Sequence, residues 1–266
     1  MAPRDHGLMD ELLIAFVLAA TAMTALWAWQ LKSNRADWVD AAWAASIGCL
    51  AMLFAVLGDG ALEKRILAVV VAGTWSARLT LHMVTRLLSH DDEDGRYQAL
   101  RAHWAPRVNL RMWLFFMAQA SVAFLFALPA WVVAQDPSAA LDWAVFAGVG
   151  VWLISLAGES LADQQLARFR ADPTNKGQVC DVGLWRYSRH PNYFFEWLHW
   201  FSYPLIAFGT PLSWIAWLGP VVMLIFLYRI TGIPYTEKQA LKSRGERYRE
   251  YQRTTSPFVP WKKKRA

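Results

Sequence analysis

The chain contains seven apolar runs, most of them near the length of about twenty residues that a helix needs to cross a membrane. Backbone polar groups inside a bilayer must bond within their own segment, which favours helices. The predicted spans cover residues 11–31, 38–57, 65–88, 110–134, 142–165, 194–209 and 213–231, and the sixth is short and broken by Pro204. The sequence therefore predicts an all-α, polytopic membrane protein with about seven transmembrane helices, forming one integral membrane domain over residues 1–266.

Composition supports this prediction, because 56% of the 266 residues are hydrophobic and 16 are Trp. Asp10 and Glu11 precede the first full-length run, so we expect a retained helix rather than a cleaved signal. The net charge of +6 is concentrated in loops and in the tail, which favours anionic lipid or a phosphorylated cofactor over nucleic acid. Cys49 and Cys180 have no spacing typical of a metal site or a disulfide.

The distribution of positive charge predicts the orientation in the membrane. Of the 27 Lys and Arg residues, 23 lie in the tail and in the loops after the first, third and fifth spans, and three lie on the opposite side. Loops on the cytoplasmic side carry an excess of Lys and Arg. We therefore expect the N-terminus outside, and the 170–196 loop and a C-terminal helix of the tail 232–266 in the cytoplasm.

The most polar stretch between two spans is Gly183–Glu196. Three basic side chains in it are suited to contact a phosphate. They are Arg186, Arg189 and His190. Pro191 fits the first turn of a helix, on which Asn192 and Glu196 share one face, and a helix N-terminus favours an anion. A basic loop contacting lipid headgroups is the alternative interpretation.

Polar residues near the cytoplasmic ends of several spans form a second group of candidates. They include Asp37, Asp40, Arg78, His82, Gln119, Glu159, Asp163, Glu196, His199 and Tyr203. Ionisable residues inside a membrane are costly and mark function by default, so we expect a polar cavity that opens to the cytoplasm. For Arg78 and Asp40, a buried salt bridge that holds the bundle together is the alternative.

Two further segments carry charged and aromatic side chains. Arg96, Tyr97 and Arg101 follow an acidic loop and could reach a cofactor or pair with that loop, with a solvated interfacial face as the favoured alternative. The tail is predicted to be helical from about Pro234. Its residues Arg247, Tyr248 and Tyr251 are candidates to close over a nucleotide, with a lipid-bound basic helix as the alternative. The terminal run 262–265 predicts a membrane-surface anchor.

Several catalytic motifs are absent from the sequence, including a phosphate-binding loop, Gly-x-Gly-x-x-Gly and His-Glu-x-x-His. Glu196 and His199 have metal-ligand spacing on a helix, but a di-iron bundle needs a second such pair. No metal site is therefore predicted.

Two sets of motifs resemble known membrane enzymes. Gly183-Leu-Trp, Arg189-His-Pro-Asn-Tyr193 and Glu196, followed by Glu237, Tyr248-x-x-Tyr251 and Pro257-Phe-Val-Pro260, resemble the C-terminal half of the steroid 5-alpha-reductase superfamily, including the sterol reductases. Val39-Asp40-x-x-Trp43, Arg78-Leu79, Arg96-Tyr97-x-x-Leu100-Arg101 and Glu159-x-x-x-Asp163-x-Gln165 resemble a bacterial branch of that superfamily. The resemblance spans most of the chain.

This resemblance implies a seven-helix enzyme of a bacterial inner membrane that holds NADPH in a cytoplasm-facing cavity. It would reduce a carbon–carbon double bond in a lipophilic substrate, such as a steroid-like, isoprenoid or lipid enone. The resemblance, together with the basic residues above, predicts a set of cofactor-binding residues. They are Asp163, Arg170, Arg186, Tyr187, Arg189, His190, Asn192, Tyr193, Glu196, Glu237 and Tyr248.

The substrate half departs from the steroid reductases, which use a Gln–Glu pair and a Tyr at the substrate ketone. Here Asp37 and Asp40 lie on the early helix and Trp75 replaces that Tyr. Reduction of an enone needs a proton or hydrogen-bond donor at the carbonyl. The sequence leaves three catalytic candidates open: a protonated Asp40, His82 or Tyr203.

Two alternatives to a reductase remain. Isoprenylcysteine and phospholipid methyltransferases share the Arg-His-Pro-x-Tyr run and a later Glu pair, and they bind S-adenosylmethionine. Here Lys238 follows Glu237 where those enzymes have a second Glu, and Asn192 matches the reductases. A non-catalytic lipid-binding protein is the other alternative.

Overall fold

The structure, a computed structural model, describes residues 5–230 and 232–264. Regular structure in these residues is helical, and no strand occurs among them, which confirms the predicted all-α fold. The described residues form twelve α-helices. They are α1 (Asp5–Ser33), α2 (Trp38–Leu57), α3 (Leu62–Leu88), α4 (Gly95–Trp104), α5 (Val108–Ala134), α6 (Trp143–Ala171), α7 (Pro191–His199), α8 (Ser202–Ile206), α9 (Ser213–Ala216), α10 (Leu218–Ile225), α11 (Ile233–Arg244) and α12 (Glu246–Thr254).

Six helical segments of the described chain are long and apolar enough to cross a membrane. They are Gly7–Ser33, Trp38–Leu57, Leu62–Leu88, Val108–Ala134, Trp143–Ala171 and, counting α9, α10 and α11 as one run, Ser213–Arg244. The protein is therefore a polytopic, integral membrane protein associated with the lipid bilayer, as predicted. That residues 1–266 form one integral domain stays a prediction.

The predicted span over 194–209 is interrupted in the structure, which confirms the break predicted at Pro204. Helix α7 begins at Pro191 and ends at His199, and the short α8 covers Ser202–Ile206. Pro204 accounts for the break, because proline has no backbone N–H and its ring clashes with the carbonyl four residues earlier. Pro191 occupies the first turn of α7, as predicted.

The described chain divides into two compact units, and the first contains α1 to α5 with α9. The largest side chains of its core are aromatic residues of α2, α3 and α5, among them Phe54, Trp75 and Phe126. The Ser76 hydroxyl donates to the Ala44 carbonyl oxygen at 2.7 Å and joins α3 to α2. An ion pair between Lys64 and Asp136, 2.8 Å long and almost fully buried, ties the start of α3 to the end of α5.

The second unit comprises residues 141–209 and those from 217 onward. In it, α7 and α8 pack against α6. Gly148 of α6 permits this approach, because an added Cβ there would lie 2.8 Å from the Ser202 carbonyl oxygen. The Trp197 indole donates to the Pro220 carbonyl oxygen at 3.0 Å, which connects α7 to α10.

The tail contains two helices, α11 and α12, where the sequence predicts one. They meet at Gly245, whose φ of 56° is a left-handed conformation that glycine adopts without strain. After α12 the chain is extended and returns along the loop before α7, forming a single parallel bridge between Ser188 and Ser256.

Candidate functional site

The loop before α7 is fixed to α6 of the same unit. Gly183, at φ 56°, lies so close to Gln165 that any side chain there would collide with it, and Gln165 Oε1 accepts a 2.8 Å hydrogen bond from the Leu184 amide. The Trp185 indole donates to the Ala162 carbonyl oxygen at 2.9 Å. The basic residues that follow are therefore carried on a rigid turn.

Arg189 lies at the centre of a charged cluster formed with the tail. Its Nε donates to Glu237 Oε1 at 2.6 Å, and its terminal nitrogen donates to the carbonyl oxygens of Gln252 and Thr255. His190 Nε2 lies 3.3 Å from the same carboxylate oxygen, and Gln252 donates to the other oxygen at 2.8 Å. The Glu237 carboxylate thus accepts hydrogen bonds from three side chains. Through these contacts Arg189 joins the loop to α11 and α12.

The extended end of the tail makes a second set of contacts with this loop. Ser188 donates its hydroxyl to the Phe258 carbonyl oxygen at 2.6 Å, and the Arg189 amide donates to the Ser256 carbonyl oxygen at 2.8 Å. The Trp261 amide donates to the Tyr187 carbonyl oxygen at 2.9 Å. The tail and the loop therefore form one connected element, which we call the tail latch (residues 185–190 and 251–261).

The N-terminus of α7 holds a polar pair beside this latch. The Asn192 amide nitrogen donates to Asp163 Oδ1 of α6 at 3.2 Å. The Tyr193 hydroxyl lies 3.2 Å from the Thr236 hydroxyl, and the Tyr193 ring stacks on His190. Glu196 is buried one turn further along α7. The loop, α6, α7 and α11 thus bring most of the predicted cofactor-binding residues together within one unit.

Three predicted residues of this group present their side chains to the surface. They are Arg170, Arg186 and Tyr187. Arg170 lies at the end of α6, within electrostatic range of Asp163 and of Arg244 on α11. Arg170 and Arg186 thus add positive charge to the surface of the unit that also holds the Asp163–Asn192 pair.

Tyr248 is buried with Tyr251 and Ala240 in a small apolar cluster. Burial raises the pKa of the Tyr248 phenol well above its ordinary value, so the group stays protonated. Tyr251 donates its hydroxyl to the carbonyl oxygens of Trp185 and Ser188. Both rings hold α12 against the latch.

Tyr203 and His199 form a buried pair at the α7–α8 break. The His199 Nε2 and the Tyr203 hydroxyl are 3.2 Å apart, and both side chains are almost completely buried. His199 and Tyr203 remain in contact across the break between α7 and α8 because the residues between the two helices keep helical dihedral angles. A phenol with a hydrogen-bonded imidazole can move a proton.

Asp40 and His82, the other two catalytic candidates, belong to the first unit. Asp40 accepts a hydrogen bond from the Tyr97 hydroxyl at 2.6 Å and an ion-pair contact from Arg96 at 2.9 Å. His82 is exposed on α3. The convergence of these two residues with the residues of the second unit stays a prediction.

The acidic loop pairs with the basic residues that follow it, which decides between the two expectations for Arg96 and Arg101. Arg96 contacts Asp94 at 3.1 Å, and Arg101 contacts Glu93 at 2.9 Å. Burial disfavours the ionised form of Asp94, but the hydrogen bonds from Arg96 outweigh it and lower the pKa of Asp94. This cluster fastens α4 to the start of α2 through Asp40.

Ser188, Thr236 and Gln252 are components of the group that the sequence did not single out. They are ordinary polar residues in a polar loop and a polar tail, and no local pattern distinguishes them. Helical periodicity places Glu237 on one face of α11 and Gln252 on one face of α12, but it does not predict that the two side chains meet.

The sequence was compared with protein-family models and with curated proteins. The model of the family described as "Protein of unknown function (DUF1295)" matches residues 26–255. An uncharacterized protein of Schizosaccharomyces pombe is 27% identical over 282 aligned positions, which cover 94% of this chain and 78% of that protein. Because the family model covers most of the sequence, the chain belongs to the DUF1295 family.

Proposed function

We propose that this protein is a membrane-embedded, NADPH-dependent reductase of a carbon–carbon double bond in a lipophilic, ketone-bearing substrate, related to the steroid 5-alpha-reductases. The observation that carries the proposal is the polar group at the N-terminus of α7. There Asn192 bonds to Asp163, with Glu196 buried one turn further on. Motif residues of α6 and α7 that are 29 positions apart in the sequence are thus in direct contact.

The donor set fits a dinucleotide phosphate. Arg170 and Arg186 present exposed guanidinium groups, which bind phosphates through two parallel hydrogen bonds. The α7 N-terminus adds a positive dipole end. Arg244, near Arg170, adds a second positive charge suited to a 2′-phosphate. Arg189 instead secures the latch that carries Arg186 and Tyr187.

When bound, NADPH supplies the hydride, and the chain supplies position and charge. The Asn192 amide and the Asp163 and Glu196 carboxylates are the groups that would orient the nicotinamide end. Burial of Glu196 on α7 keeps bulk water from this carboxylate. Reduction of a double bond conjugated to a ketone also needs a proton or hydrogen-bond donor at the carbonyl oxygen, where enolate charge develops.

Tyr203 is the donor that this proposal favours. For the Tyr203 hydroxyl to give its proton to a substrate carbonyl, His199 must donate its Nε2–H to the phenol oxygen rather than accept from it. His199 then stabilises the phenolate as it forms. Asp40 is already engaged by Arg96 and Tyr97, which supports a role in holding α4 in place.

The proposal also includes the orientation and the membrane. Clustering of 23 Lys and Arg residues in alternate loops and in the tail supports a cytoplasmic position for the 170–196 loop and the C-terminus. The N-terminus would then be periplasmic in a bacterial inner membrane. A lipophilic substrate would enter from the bilayer, where it partitions.

The direct test of this function is the identity of the nucleotide that purifies with the protein. The protein, extracted in a mild detergent, is denatured and the released small molecules are analysed by mass spectrometry. We expect NADP⁺ or NADPH at a stoichiometry that rises when NADPH is added before the final wash. S-adenosylmethionine would instead indicate a methyltransferase. Retention of neither compound, even after addition, would contradict both and favour a lipid-binding role.

A further inference from the structure

The end of the tail combines exposed aromatic and aliphatic side chains with lysines. Trp261 is 71% exposed, Val259 48% and Tyr187 45%. Tyr187, Pro260, Trp261 and Lys262 line one groove. Lys263 and Lys264 follow directly and are also exposed. We call Tyr187 together with residues 259–264 the tail patch.

Contacts within this unit determine beside which residues of α6 the tail patch lies. The Trp261 amide bonds to the Tyr187 carbonyl oxygen, and the loop that carries Tyr187 is fixed to α6 at Ala162 and Gln165. Helix α6 is predominantly apolar up to Ala162 and becomes polar at Asp163. The tail patch therefore lies at the level where a membrane helix passes from hydrocarbon to headgroups.

The chemistry of the tail patch matches that level. Trp and Tyr concentrate at the membrane–water interface, where a ring contacts the acyl boundary and its polar atom stays hydrated. A run of lysines next to them attracts anionic lipid. Lys263 has a carboxylate 3.3 Å away on Asp181, but both side chains remain substantially exposed, so this pair is weak.

We propose that the tail patch docks on the headgroups of anionic phospholipids, with Trp261 and Val259 at the acyl boundary and Lys262, Lys263 and Lys264 at the phosphates. The extended tail connects this surface directly to the latch, since Ser256 and Phe258 bond to Arg189 and Ser188. Lipid contact at the patch therefore stabilises the loop before α7. The inference does not depend on the chemistry proposed for that loop.

The test is hydrogen exchange of the full-length protein in nanodiscs of phosphatidylcholine alone or of equal parts phosphatidylcholine and phosphatidylglycerol. The amides of Trp261 and Lys264, which donate to Tyr187 and Thr254 carbonyl oxygens, report on the tail. We expect them to exchange several-fold more slowly in the anionic discs. Inorganic phosphate added to the neutral discs should not reproduce this slowing, because it offers no surface for Trp261.

Two triple variants complete the experiment. Lys262→Gln/Lys263→Gln/Lys264→Gln should exchange at the same rate in both kinds of disc. Lys176→Gln/Lys238→Gln/Lys242→Gln removes three exposed lysines elsewhere in the same unit and should keep the slowing. The proposal is overturned by wild-type exchange that is independent of lipid charge, by slowing that phosphate alone produces, or by equal losses in the two triple variants.

Discussion

Replacing Glu237 with alanine is expected to lower the free energy of unfolding by about 3 kcal/mol, at the lower end of the cost of removing one member of a buried ion pair. The carboxylate holds Arg189, His190 and Gln252 together. Without it, the Arg189 guanidinium keeps its two carbonyl contacts but has lost this counter-charge in a largely buried position. Chemical denaturation in detergent measures the effect.

A second glutamate of the tail provides the matched control for Glu237. Glu246 forms ion pairs with Arg249 and Arg253, but all three side chains are more than 60% exposed. Exposed pairs contribute little, because water and salt screen them. Glu246→Ala should therefore leave the unfolding midpoint nearly unchanged. Equal losses in the two alanine variants would contradict the structural role assigned to Glu237.

Replacing Asp136 with alanine is expected to cost about 3–5 kcal/mol, because the Lys64 ammonium would stay buried without this carboxylate. The two side chains are 3% and 4% exposed, and their charged atoms are 2.8 Å apart. The same denaturation measurement applies.

The charge-free double variant Lys64→Met/Asp136→Leu is the informative comparison. Replacing both members of a buried pair by apolar side chains is often nearly neutral. We expect the double variant to recover most of the stability that Asp136→Ala loses. If both variants are destabilised alike, packing rather than the charge pair determines stability at this place.

The long helices of the fold could be predicted from the sequence, because length and hydropathy are almost sufficient to identify a helix that crosses a membrane. Helices α1, α2, α3, α5 and α6 correspond to the first five predicted spans. The break in the sixth span could also be predicted, because Pro204 has no backbone N–H to donate. The break within the tail at Gly245 was missed, because charged residues continue on both sides of it.

The sequence named the residues of the candidate site but did not predict which of their side chains contact one another. Arg189 and His190 resemble free phosphate ligands when only the neighbouring sequence is considered. In the folded chain, Glu237 comes from 48 residues further along and engages both. Such a contact depends on how the tail folds back, which no local periodicity encodes. The Asn192–Asp163 contact, by contrast, joins two residues that were both predicted to bind the cofactor.

The central claim is that the N-terminal turns of α7 hold NADPH, and the shift in melting temperature on adding NADPH tests it most directly. A ligand that binds only the folded protein raises the melting temperature according to its concentration relative to its dissociation constant. Glu196→Gln preserves shape and removes charge, and losing a charge-assisted contact should weaken binding by about 1.5–3 kcal/mol. Asn192→Ala should weaken it by about 1 kcal/mol.

Thr236→Val is the control for these two variants, because it removes the hydrogen bond to Tyr193 without changing a predicted cofactor-binding residue. The account predicts a clear NADPH shift in the wild type and in Thr236→Val, a smaller shift in Asn192→Ala and the smallest shift in Glu196→Gln. A wild-type protein that NADPH does not stabilise, or full wild-type shifts in both α7 variants, would contradict it.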